Sequence, residues 1–169
     1  MARQIDFRSP LPHPTDIVYA TMVDAEYLRA RLQRLGGPGA ALLEHRADPT
    51  GARYRLRQGL DRSALPPVVQ NLLPGNLVLE RTETIRPAGP GRYEGTVDVH
   101  VPGAPVSAAG RMQLHEGAGG SEFTLQADVT VHLPLIGGRI EEIVAEQVRN
   151  LLIAETEFTQ QWLREKRAG

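Results

Sequence analysis

The sequence predicts an α+β domain: a curved antiparallel sheet of about seven strands closed by one long C-terminal helix, with two short helices after the first strand. Three observations carry this prediction. Residues 138–166 repeat apolar side chains at helical spacing, which at ~1.5 Å per residue gives a helix about 40 Å long, enough to cross a whole sheet. Between residues 77 and 133 apolar and polar residues alternate with a period of two, the pattern of half-buried strands. The breaks between those strands are short and rich in Gly and Pro, so successive strands lie antiparallel.

The elements follow in order. Residues 3–8 place Ile5 and Phe7 on one side of a short first strand. The prolines of SPLPHP end it, and Pro14 or Thr15 opens a helix with Ile17, Val18 and Met22 on its apolar face. Asp24 is placed to cap a second helix over 25–35, whose stripe is Tyr27, Leu28, Leu32 and Leu35. Gly36-Gly37-Pro38-Gly39 stops it. Strands 40–46 and 52–58 pair across Asp48-Pro49-Thr50-Gly51. In the second of them Tyr54, Leu56 and Gln58 face one way, and Arg53, Arg55 and Arg57 face water. Residues 60–75 are too rich in proline for a central strand. Val68, Val69, Leu72 and Leu73 fit a short inserted helix that either plugs one end of the core or forms a lid over a cavity.

Four strands follow, over 77–86, 92–101, 106–116 and 122–133. Val97, Val99 and Val101 share one face, as do Met112 with Leu114 and Phe123 with Leu125, Val129 and Val131. Arg81 and Glu83 share the parity of Leu77, Leu79 and Ile85. They either line a cavity as a charged pair or, if a bulge intervenes, lie on the surface. In the last helix the stripe is Ile140, Ile143, Val144, Gln147, Leu151, Ala154, Phe158 and Trp162. Gln147 within it would need a hydrogen-bond partner. Glu155 borders it; if buried, its pKa is expected to rise, and a neutral carboxyl could then bond a ligand. Glu141 and Glu142 sit in the first turn, where the helix dipole favours negative charge.

Composition excludes several classes of function. The chain has 169 residues, enough for one domain over 1–169 with a core of its own. It has no cysteine, which excludes disulfides and thiolate metal sites. Nineteen basic and twenty acidic residues give a formal charge of −1, so no nucleic-acid partner is expected. The five histidines are scattered, no metal spacing or nucleotide-binding glycine loop occurs, and no cofactor is expected. No apolar run approaches the ~20 residues that span a bilayer, and MARQIDFRSP lacks the apolar core of a signal peptide. The expectation is a cytoplasmic protein, monomer or homodimer, with no stable membrane insertion.

The stretch VPGAPVSAAGRMQLHE, followed by GGSEFTLQADVTVHLPLIGGRIEEIV, resembles the START-like (SRPBCC, helix-grip) superfamily, and within it a small actinobacterial family of unknown function. The LPLIGG turn entering the long helix, the turn at Gly103 to Pro105 and Gly110 in the next strand carry the match, which extends over essentially the whole chain. The resemblance implies a cavity between the long helix and the sheet, usually occupied by an apolar ligand. It transfers no catalytic residue.

Three functions follow as expectations. The first is binding or carriage of an apolar or amphipathic molecule: a lipid, a sterol-like compound or a polyketide. Its walls would be Tyr54, Leu56, Val97, Val99, Met112, Leu114, Phe123 and Leu125, roofed by Gln147, Leu151, Ala154, Glu155 and Phe158. Tyr54 and Tyr93 offer hydroxyls as polar handles. The second is a cyclase- or dehydratase-type enzyme, for which Glu155, Tyr93 and Glu83 are the candidate acids and bases. The third is a protein-interaction module with a filled interior, its contact surface marked by Leu152, Ile153 and Leu163.

Overall fold

The computed structural model describes residues 2–71 and 75–168. In chain order the elements are β1 (Arg3–Leu11), α1 (Thr15–Met22), α2 (Ala25–Leu35), β2 (Ala41–Asp48), β3 (Gly51–Leu60), a 3-10 turn (Arg62–Ala64), α3 (Pro67–Gln70), β4 (Leu77–Pro87), β5 (Tyr93–His100), β6 (Val106–Gly117), β7 (Gly120–Val131) and α4 (Gly137–Ala168). The seven strands form one antiparallel sheet in the order β1-β7-β6-β5-β4-β3-β2. The helix α4 lies over β1 and β7 and also meets α2. This is the helix-grip architecture that the element order predicts.

Local chemistry sets the element ends. Asp24 caps α2 as expected, its carboxylate accepting from the Tyr27 amide at 3.0 Å. At the other end Gly36 donates to the Leu32 carbonyl at 2.8 Å. Val69 is buried and the inserted helix is a single turn; Leu72 and Leu73 lie outside the described residues. The start of α4 is fixed from the sheet, because Glu141 is buried and accepts from the Val131 amide at 2.9 Å.

Two glycines bring neighbouring strands unusually close. A Cβ on Gly95 would stand 2.0 Å from the Thr84 carbonyl oxygen, and one on Gly110 would stand 2.3 Å from that of Gln126. The backbones therefore approach more closely than any side chain permits, the usual meaning of glycine inside a strand. The position that helps carry the family resemblance, Gly110, thus has a structural reason.

The inner face of α4 differs from the expected stripe. Its buried side chains are Ile140, Glu141, Leu152, Glu155, Thr159 and Leu163. Gln147 is exposed, and Leu151, Ala154, Phe158 and Trp162 are only half-buried. The physical reason is that α4 has two neighbours. Phe158 and Trp162 turn towards α2, where their ring centroids lie 5.8 and 5.7 Å from that of Tyr27. Counting them with the sheet-facing residues swings the expected stripe by about one position. It also places Leu152 and Leu163 outside; both are buried, at 5% and 3% exposure, so they offer no contact surface. Ile153 does remain exposed.

Candidate functional site

The parity of β4 points Arg81 and Glu83 inwards. Register places Glu83 opposite Tyr54 and Arg81 opposite Leu56. From α4 comes Glu155, and from α2 comes Arg31, one turn after Tyr27. All four charged residues are buried: Arg31 7%, Arg81 7%, Glu83 2% and Glu155 5% exposed. Placing four charges in a core is costly unless they satisfy one another, and the geometry shows how they do.

Arg81 is the centre of the network. Its Nη1 donates to both oxygens of Glu155, at 3.1 and 2.9 Å, and its Nε donates to Glu83. The Tyr54 hydroxyl donates to the other oxygen of Glu83 at 2.8 Å. Arg31 Nε forms an ion pair with the same Oε2 of Glu155 at 3.8 Å, and the Arg31 guanidinium lies 5.7 Å from the Tyr27 ring centroid. The Tyr27 and Thr159 hydroxyls share a hydrogen bond, and Thr159 donates to the Glu155 carbonyl at 2.8 Å. The sheet, α2 and α4 are tied together here.

Electrostatics settles the state of Glu155. Burial alone would raise its pKa, but Arg31 and then Arg81 reverse the effect, and the result lies below the ordinary 4.5. The expected rise, and with it a neutral carboxyl, is therefore corrected: Glu155 is an ionised partner. Burial and the facing Glu83 carboxylate hold the Tyr54 proton, pushing its pKa well above the ordinary phenol value. A depressed folded-state pKa stabilises the protein fully above the ordinary value and ceases to do so as pH falls through the lower, folded value. The stability gap between the natural protein and Glu155→Gln is therefore expected to hold level above about pH 5 and to close below about pH 4.5. Urea unfolding at a series of pH values measures it.

Arg31 is incompletely satisfied. Neither its Nε nor its Nη2 has a hydrogen-bond partner among the described residues. It borders an interior cavity of about 40 Å³, whose walls include Leu11, Val18, Met22, Met112, Phe123 and Leu152, with Arg81, Glu83 and Glu155 at its polar end. That volume suits on the order of one or two water molecules.

The residues expected to bind ligand are distributed over several environments. Met112, Phe123 and Glu155 border the cavity. Tyr54 and Leu56 pack with Tyr27, Leu28 and Leu32, with Phe158 against them. Val97 and Leu125 pack with Phe7, Met112 and Leu152, and Val99 packs against that cluster. Leu114 lies with Leu11, Val18 and Leu163, where Tyr93 stacks on Tyr19 at 4.1 Å between centroids. Exposure of Gln147 removes it from the interior. Sequence reasoning does not single out Arg31. Its signal is an arginine three residues after Leu28 and one before Leu32, within an apolar stripe.

A larger hollow, about 600 Å³, opens on the opposite face of the sheet, among Arg46, Arg53, Thr84, Thr96, Arg111 and their neighbours. The Thr84 and Thr96 hydroxyls meet across it at 2.6 Å. It is a polar saddle facing water. Among the described residues no group of three His, Cys, Asp or Glu side chains gathers to hold a metal, and no helix is long and apolar enough to cross a membrane.

Comparison with known proteins agrees with the fold. The uncharacterized protein Rv0481c of Mycobacterium tuberculosis (strain ATCC 25618 / H37Rv) is 28% identical over 170 residues, covering 96% of this chain and 98% of that protein. Among solved structures, a conserved protein from Geobacillus kaustophilus superposes with a TM-score of 0.60 at 14% identity, covering 98% and 96% of the two chains. TTHA0849 from Thermus thermophilus gives 0.58 at 16% identity, covering 93% and 97%. Ara h 8.0201 gives 0.56 at 11% identity, covering 95% and 99%. At these identities the likeness shows fold alone. Residues 6–163 match a family model that covers most of the chain, and the protein belongs to the family described as "Protein of unknown function (DUF2505)".

Proposed function

We propose that this chain is a START-like protein that binds an apolar or amphipathic small molecule, such as a lipid, a sterol-like compound or a polyketide, in the cytoplasm. The whole chain acts as one ligand-binding domain, with the ligand between sheet and α4. The observation that carries this reading is the interior cavity with a fixed charge network at one end and adaptable apolar walls at the other. A core built only for stability has little use for such a network, since well-packed apolar residues of equal volume usually serve as well or better. Ligand pockets, by contrast, are apolar with a few fixed polar groups.

The cavity is far smaller than the ~300 Å³ or more of a formed ligand pocket. Binding therefore requires the walls to yield. Met22 and Met112 are suited to this, because unbranched thioether side chains repack readily. Half-buried Phe123 and the α4 side chains Leu152 and Thr156 complete the part of the wall that must shift. A cyclase or dehydratase reading is less well supported, because Glu155 is ionised and held by Arg81 and Arg31, and Glu83 is held by Arg81 and the Tyr54 hydroxyl, so neither carboxylate is free to move a proton.

Native mass spectrometry of protein purified gently from its source organism tests the proposal. The expected result is an added mass that is lost on denaturation and identified as an apolar compound. A bare protein mass, unchanged when the purified protein is exposed to an extract of the organism's lipids, would overturn it.

A further inference from the structure

Resting on that reading, we infer that the ligand presents a neutral oxygen acceptor, a carbonyl or a hydroxyl, to the Nε–H and Nη2–H groups of Arg31, which the ion pair with Glu155 leaves without a hydrogen bond. Three observations converge on this. First, among the described residues those two groups are buried donors without a hydrogen-bond partner, in a residue only 7% exposed, and an unsatisfied buried donor is retained at a cost. Second, Arg31 is among the residues lining the cavity, whose remaining walls are mostly apolar, so a ligand that displaces those walls reaches it. Third, the donors are complementary only to an acceptor, since guanidinium has no lone pair to offer.

Charge balance selects a neutral group over an anion. The network holds two guanidiniums, Arg31 and Arg81, against two carboxylates, Glu83 and Glu155. It is already neutral in sum. A ligand carboxylate would add an uncompensated charge in a low-dielectric interior, close to Glu155 and Glu83, where like charges repel strongly. A ketone, ester, amide or alcohol oxygen accepts the same N–H bonds without that penalty. The structure thus favours neutral oxygenated apolar compounds over free fatty acids.

The test uses the full chain and three probes of matched shape: 2-decanone, 2-methyl-1-decene, which replaces the carbonyl oxygen with a methylene, and decanoate at pH 8. Affinities are read by displacement of a neutral solvatochromic dye, Nile red, and by change in melting temperature. The unmodified protein is expected to bind 2-decanone about ten- to a hundredfold more tightly than the alkene, the range for a hydrogen bond to a charged group, and more tightly than decanoate. In Arg31→Met, which keeps an unbranched side chain but has no N–H donor, the ketone's advantage over the alkene is expected to shrink to near unity while alkene binding persists. Equal binding of ketone and alkene by the natural protein, or decanoate binding most tightly, overturns this inference and leaves the apolar-ligand reading standing. An unchanged ketone advantage in Arg31→Met also overturns it. Failure of all three probes to bind counts against both. The comparison of probes on the natural protein needs no variant, so it decides the matter even if Arg31→Met fails to fold.

Discussion

Replacing Glu155 by glutamine is expected to lower stability by about 3–5 kcal/mol, the cost of breaking a buried ion pair while its partners remain. Among the described residues Glu155 is the only carboxylate that meets both buried guanidiniums, accepting from Arg81 at 2.9 and 3.1 Å and pairing with Arg31 at 3.8 Å. Without its charge, Glu83 alone faces two buried positive groups. In a domain of this length the loss corresponds to a fall in melting temperature of roughly 6–20 °C. Glu157, two residues along and exposed, supplies the control: Glu157→Gln is expected to stay within about 0.5 kcal/mol. A loss below about 1 kcal/mol for Glu155→Gln, against the cost usual for such a pair, would mean that the network does not bear on folding as described.

Leu56→Ala is expected to cost about 2–5 kcal/mol, the range for truncating a fully buried leucine. Leu56 has 0% exposure and is packed with Tyr27, Leu28, Leu32 and Tyr54, with Phe158 and Trp162 against them. That cluster is where α2, α4 and the sheet meet, and its aromatic rings are too large to collapse into the gap that the lost isopropyl group leaves. The site lies directly opposite Arg81 in the strand register, so relaxation into the hole would also disturb the ion pairs. Denaturant titration would show a lower midpoint with an unchanged slope, the sign of lost stability without a changed unfolded state.

Much of the fold is readable from residues alone. The alternation of Tyr54, Leu56 and Gln58 against Arg53, Arg55 and Arg57 sets the faces of β3. The Asp24 cap and the glycine run after Leu35 bound α2. What periodicity does not resolve is direction within a broad apolar arc. Phe158 and Trp162 are as apolar as Leu152 and Leu163, and no counting rule says that the first pair faces a helix and the second a sheet. The same ambiguity puts Gln147 inside. The orientation of Arg81 and Glu83 is legible only as a choice, because strand parity cannot exclude a bulge, and β4 pairs with β3 and β5 without one. The state of Glu155 is misread for a different reason: its partners come from α2 and β4, remote in sequence, and a local reading supplies burial but not the neighbours that outweigh it.

A crystal structure of the protein soaked with 2-decanone tests most directly whether a ligand oxygen meets Arg31 in the interior. The expected result is the carbonyl oxygen about 3 Å from Arg31 Nε or Nη2, with the chain running between Met112, Phe123 and Leu152 and the side chains of Met22 and Met112 displaced. Density in the polar saddle around Thr84 and Thr96, or an interior that stays closed at saturating ketone, would contradict it.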